Sequence, residues 1–215
     1  MNAAVDQPVN RWPDADHALS YLAIRDSIPH RTEGCAVLLE AIGDPRRVLD
    51  LGTGDGVMVA LVRSVWPEVE AVAVDFSPTM LDAVRARFAG DSGVEVVEHD
   101  LDVPLPEFGR FDTVISSFAI HHLADARKRA LFREVLEALE PGGVFANLEH
   151  VASPTAALHR EFFVQIGEDP DAEDPANRLA PVESQLDWLR ALGFVDVDCL
   201  WKWRELALLV GHAPR

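Results

Sequence analysis

The segment VLDLGTGDG, residues 48–56, sets three alternating glycines between a short apolar run and a helical pattern. A run such as Val48-Leu49-Asp50-Leu51 reads as a strand covered on both faces, and Val57 to Trp66 as a helix stopped by Pro67. A strand that turns so tightly into a helix begins a β-α-β unit, which commits the chain to a parallel sheet. Glycine allows the tight turn and lets a ligand approach the backbone, while the start of the next helix offers unpaired N–H donors. One glycine would suffice for a bare turn. Three, at Gly52, Gly54 and Gly56, point to a nucleoside cofactor.

The remaining pattern extends that unit. A helix is expected over Trp12 to Ala23, with Pro13 in its first turn, and a second from Thr32 to Gly43. Further strands are expected at Ala71–Val74, Val94–Val97, Thr113–Phe118 and Val144–Leu148. Between them lie a helix capped by Ser77 before Pro78 and another capped by Asp125 that runs to Leu139. Ser153 to Pro181 interrupts the alternation with a helix and an acidic loop containing prolines at 170, 175 and 181. A last helix, Val182 to Leu192, precedes two strands that meet around Lys202-Trp203-Arg204, a link short enough to require antiparallel pairing. The expected fold is therefore α/β: seven strands, the last reversed, with helices on both faces. Residues 1–44 read as an N-terminal helical cap and 45–215 as the cofactor-binding domain, with an insertion at 152–181.

Spacing selects among cofactors. The dinucleotide fingerprint needs a small residue three positions after its second glycine, where Val57 or Val59 stands here. The phosphate-binding loop needs a lysine, which is missing, and Asp55 would repel a pyrophosphate. A cofactor without phosphates removes the conflict. Asp75 ends the second strand, 19 residues past Gly56, and is placed to accept hydrogen bonds from ribose hydroxyls. Asp100 and Leu101, at the third strand's end, are placed to meet an adenine.

In order and spacing, VLDLGTGDG, AVAVDFSP, HDLDVPLP, FDTVISSFAIHHL and LEPGGVFANLEHV resemble the successive motifs of class I S-adenosylmethionine-dependent methyltransferases, over roughly Arg46 to Val151. The resemblance implies a Rossmann-like sheet in the order 3-2-1-4-5-7-6 with strand 7 antiparallel. It implies S-adenosylmethionine as cofactor and S-adenosylhomocysteine as product. Gly52, Thr53 and Gly54 would line the methionine part, with Asp50 linked to its amino group. Asp75 would hold the ribose, Phe76 and Met80 would flank the adenine, Asp100 and Leu101 would meet its edge, and Ser116 or Ser117 would face the methionine side. The preceding IRDSIPHR is similar to the corresponding segment in the branch that includes carboxy-S-adenosylmethionine synthases. That branch often has glycine and tyrosine where His30 and Arg31 stand here, so ordinary S-adenosylmethionine is the expected donor.

Charge bounds the acceptor. With 36 acidic and 19 basic side chains the net charge is −17, a field that repels phosphate backbones and anionic lipid. The expected partner is a small molecule, with no nucleic acid and no membrane, and a homodimer is left open. Cys35 and Cys199 lie far apart in apolar segments, and no run approaches the roughly 20 apolar residues of a membrane span, so a reduced cytoplasmic setting is expected.

Methyl transfer from a sulfonium is an in-line displacement in which alignment supplies most of the acceleration. A hydroxyl or protonated amine needs a base as well, and His121, the favoured member of the pair His121-His122, is the candidate. No third ligand stands at metal-binding spacing, so no metal is expected. Trp201, Trp203 and Arg204, with Arg25, Arg31 and the insertion, form the expected acceptor pocket. A tRNA or protein methyltransferase and a non-catalytic S-adenosylmethionine-binding protein are the competing readings.

Overall fold

The computed structural model describes residues 12, 14–16, 18, 19 and 28–215. Seven strands form one sheet: β1 (Arg47–Leu51), β2 (Glu70–Asp75), β3 (Val94–Glu98), β4 (Phe111–Ser117), β5 (Leu139–His150), β6 (Val195–Trp203) and β7 (Leu206–His212). Their order is β3-β2-β1-β4-β5-β7-β6. The pairs from β3 through β5 are parallel, and β7 runs antiparallel to both β5 and β6. The order and the reversed strand are those expected from the sequence.

Within residues 28–215, six α-helices cover the sheet: α1 (Arg31–Ile42), α2 (Val57–Val65), α3 (Pro78–Arg87), α4 (Asp125–Ala138), α5 (Ala156–Ile166) and α6 (Val182–Leu192). Because strand side chains alternate, neighbouring residues feed opposite cores. Val48, Ile115 and Ala146 pack with Leu38, Phe162 and Leu208 on one face. Leu49, Val114 and Phe145 pack with Phe132, Leu189 and Phe194 on the other. Such strands are apolar throughout since neither face meets water.

Three local expectations are corrected. Asp125 is the first residue of α4; Ala124 holds the N-cap position with no side-chain bond. Ser77 does hold the N-cap of α3, yet its hydroxyl is buried without a partner. The fifth strand begins at Leu139, and Glu140 to Gly143 form an irregularity between the pairs Leu139/Phe111 and Val144/Thr113. The helix expected over 12–23 falls mostly outside the described residues, of which Ala15, Asp16, Ala18 and Leu19 are helical; Arg25 also lies outside them.

Strand order reverses between β1 and β4: β2 and β3 lie to one side of β1, and β4, β5, β7 and β6 to the other. At such a point the loops leaving adjacent strands diverge and open a crevice at the strands' C-terminal ends.

Candidate functional site

A cavity of about 360 Å³ occupies that crevice, a volume suited to a small-molecule ligand. Its floor is the turn after β1. At Gly52 (φ 69°) a Cβ would lie 2.2 Å from the Cβ of Ala119, so the turn and the segment after β4 approach as only glycine permits. At Gly54 (φ 58°) an added Cβ would meet only Met80 Sδ, at 3.9 Å, an ordinary contact. Thr53 N–H donates to the Val74 carbonyl at 2.8 Å and ties the turn to β2.

Asp50 and Asp75 shape this floor. Asp50 is 1% exposed; its Oδ2 accepts from Thr53 Oγ1 at 2.7 Å, while Oδ1 is buried with no partner. Burial, opposed by the Thr53 bond and reinforced by Asp75 and Asp55, pushes its carboxyl up to about 7. Asp75 accepts three backbone N–H bonds: Oδ2 from Gly54 at 2.8 Å, and Oδ1 from Phe76 at 2.8 Å and Ser77 at 2.9 Å. Burial still raises it above the usual carboxylate range, against those bonds. Of its four lone-pair sites, three are thus taken and one, on Oδ2, is left for a further donor. Asp55 is paired with Arg87, so its charge at the mouth is compensated.

All ten residues expected to meet the cofactor line this cavity: Asp50, Gly52, Thr53, Gly54, Asp75, Phe76, Met80, Asp100, Leu101 and Ser117. Ser117 Oγ is buried without a partner, whereas the Ser116 hydroxyl donates to the Leu51 carbonyl at 2.8 Å.

The acceptor side departs from expectation. Arg31 lines the cavity, its guanidinium 5.3 Å from the Phe118 ring centroid. Trp201, Trp203 and Arg204 are not lining residues. Trp203 packs on His30 (centroids 4.5 Å) and Phe162 (6.1 Å), Arg204 pairs with Glu161 at 2.9 Å, and Trp201 borders Gly34. The hairpin does lie at the sheet's C-terminal edge, as expected. However, β6 is its outermost strand, with β7 and β5 between it and β4.

His121 is likewise not a lining residue; His122 is. The two rings lie 4.0 Å apart, and His121 Nδ1 is 2.6 Å from Oε1 of the fully buried Glu149. Burial pushes Glu149 up to about 7 and holds His121 well below the ordinary imidazole range. Burial, with His121 beside it, lowers His122 to about 3. The ring's Nδ1 is buried with no hydrogen-bond partner.

Residues missed by sequence reasoning include Trp12, Phe118, His122 and Arg178, all on the cavity wall. Phe118 carried a detectable signal only in structure: φ is 54°, uncommon for a bulky residue and frequent at functional sites. Among the described residues no group of three or more His, Cys, Asp or Glu side chains could hold a metal ion, and no helix is long and apolar enough to cross a membrane.

A profile of the family described as "Methyltransferase domain" matches residues 48–143. A demethylmenaquinone methyltransferase of Thermus thermophilus is 36% identical over 128 residues, 57% of this chain and 56% of that protein. The chain therefore spans little more than half of that relative's length. A trans-aconitate 2-methyltransferase of Methylobacterium nodulans is 30% identical over 208 residues, covering 91% of this chain and 74% of that one. Among solved structures, an O-methyltransferase family protein from Burkholderia thailandensis superposes with a TM-score of 0.72 at 20% identity, over 95% of this chain and 64% of the other.

Proposed function

Because the chain belongs to the class I S-adenosylmethionine-dependent methyltransferase family, we propose that it transfers a methyl group from S-adenosylmethionine to an O, N or S atom of a small-molecule acceptor. The observation that carries this reading is the buried, unpartnered Oδ1 of Asp50 on a cavity floor that faces a glycine turn. A lone carboxylate oxygen in such a place calls for a cation, and the donor's ammonium supplies one. Gly54, with no Cβ, lets the methionine part approach the backbone, the remaining lone pair of Asp75 Oδ2 suits a ribose hydroxyl, and Met80 and Leu101 offer apolar surface to the adenine. The residues present thus fit the group.

When bound, S-adenosylmethionine supplies an electrophilic methyl on a sulfonium. The chain's own contribution is to align and to dry the site. Trp12 and Arg31 before β1, and Ala176 and Arg178 from the 152–181 insertion, wall the cavity; in our reading these two segments close over the reacting groups. We assign the acceptor-side contact to His122, whose bare Nδ1 can accept a hydrogen bond there, and make His121 a positioning residue behind it. An imidazole lowered this far orients a nucleophile better than it deprotonates one. Acceptors that need no proton removed fit best.

Calorimetry with S-adenosylhomocysteine should show one site per chain, and labelled donor should mark a compound in a small-molecule pool. Label appearing only in added tRNA would overturn the small-molecule reading.

A further inference from the structure

The cavity is divided by charge. Its five acids, Asp50, Asp55, Asp75, Asp100 and Asp102, all lie at or just after the C-terminal ends of β1, β2 and β3. Its lining arginines, Arg31 and Arg178, lie on the other side of the switch point, with Phe118 and His122 of the segment after β4. Arg31 is held over Phe118, and Arg178 N–H donates to the His121 carbonyl at 2.9 Å. The donor's cationic groups account for the acidic half. They do not account for guanidinium groups in the same cavity.

Arg178 is a built position. Its N–H is bonded to His121, and its carbonyl accepts from Lys128 Nζ, a lysine only 1% exposed. A buried lysine aimed at one carbonyl fixes the backbone on both sides of this residue, although the surrounding loop is irregular. The guanidinium itself has no ion pair among the described residues, so its forked donors face the cavity without a carboxylate. Phe118 and Leu123 give the same cavity apolar lining.

We propose that the methyl acceptor carries a carboxylate, held by the guanidinium of Arg178 with Arg31 adding positive charge to the same wall. This rests on the methyltransferase reading above and adds the acceptor's chemical class. A carboxylate suits the site better than a phosphate: the acidic half of the cavity and the net charge of −17 repel each further negative charge on the ligand. It also suits His122, since a carboxylate has no proton to surrender.

The test titrates the full chain, saturated with S-adenosylhomocysteine, with three probes of like shape: benzoate, benzamide and phenyl phosphate. Benzoate should bind about tenfold more tightly than benzamide, and more tightly than phenyl phosphate. In Arg178→Gln that preference should vanish while S-adenosylhomocysteine affinity stays within about twofold, and Arg178→Lys should recover part of it. Equal binding of benzoate and benzamide, no binding of either, or a preference that survives Arg178→Gln would overturn the carboxylate assignment. Tighter binding of phenyl phosphate would replace it with a phosphate. Failure of S-adenosylhomocysteine itself to bind would count against the methyltransferase reading, which the first titration detects separately.

Discussion

Asp50 is a carboxyl that burial holds near 7, where an unperturbed one sits near 4. A cation binds its ionised form, so ligand binding must expel a proton at any pH below that value. The affinity for S-adenosylhomocysteine, whose ammonium is the cation, should therefore rise with pH up to about 7 and level off, with up to about tenfold lost per unit below. Asp50→Asn should flatten the profile and weaken binding at pH 8; a dissociation constant independent of pH in the native chain would refute the contact. Gly52 makes a second prediction. Its φ of 69° and the 2.2 Å gap to Ala119 leave no room for a methyl group, so Gly52→Ala should lower stability by about 2 kcal/mol in urea unfolding. No loss would mean that the turn and the β4 segment are not in contact. That the glycine turn and the acids at the strand ends share one cavity was legible, because both are local patterns. Which histidine lines it was not: His121 and His122 are adjacent and chemically identical, and only the Glu149 partner, 28 residues away, turns one of them inward.

At the scale of elements, one imidazole links α5 and the loop after it to the sheet's C-terminal edge. His159 Nδ1 lies 2.9 Å from Glu205 Oε1 and Nε2 lies 3.1 Å from Glu173 Oε2; the fully buried Glu205 also meets His150 Nε2 at 2.8 Å. Burial alone would lower His159, but the bonds to Glu205 and Glu173 outweigh it and raise its pKa. Glu205, raised by burial, is brought below the usual range by His150, Ser153 and His159. A raised histidine contributes stability fully below its unfolded value, about 6.5, and loses it as pH rises through the folded one; a depressed glutamate contributes above about 4.5 and loses it as pH falls. The strap is thus firmest between about pH 4.5 and 6.5. The stability difference between the native chain and His159→Ala should be largest near pH 6 and shrink toward pH 8.5, and a difference unchanged over that range would show that His159 is not charged in the strap. This part of the fold was opaque in sequence. The alternating strands and helices announce themselves by apolar runs, whereas the insertion's course depends on pairs such as His159 with Glu205, 46 residues apart, and Lys128 with Arg178, 50 apart. The hairpin at 201–204 occupies the expected edge of the sheet, but its side chains are taken up by partners distant in sequence, Trp203 by His30 and Phe162 and Arg204 by Glu161, rather than by the cavity.

Across the whole molecule, the net charge of −17 acts without a basic patch to offset it. The clustered cations Arg127, Lys128 and Arg129 are spent internally: Arg127 pairs with Glu134 at 2.6 Å, Lys128 is buried against Arg178, and Arg129 lies over the Trp188 ring. The long-range field at the cavity is therefore set by the acidic surplus of the chain, and it attracts a ligand according to its net charge. S-adenosylmethionine and S-adenosylhomocysteine share every group except the sulfonium, so they differ by one positive unit while filling the same space. Raising the salt from about 20 to about 300 mM shortens the screening length from roughly 20 Å to roughly 6 Å, which removes the long-range part of the field and leaves the contacts at Asp50 and Asp75. Affinity for the methionine form should then fall by about threefold or more, and that for the homocysteine form much less. A carboxylate acceptor should respond in the opposite sense, its association quickening as the acidic surface is screened. Equal salt slopes for the two nucleosides, measured by calorimetry at matched pH, would show that the charge surplus is too distant from the cavity to select what enters it.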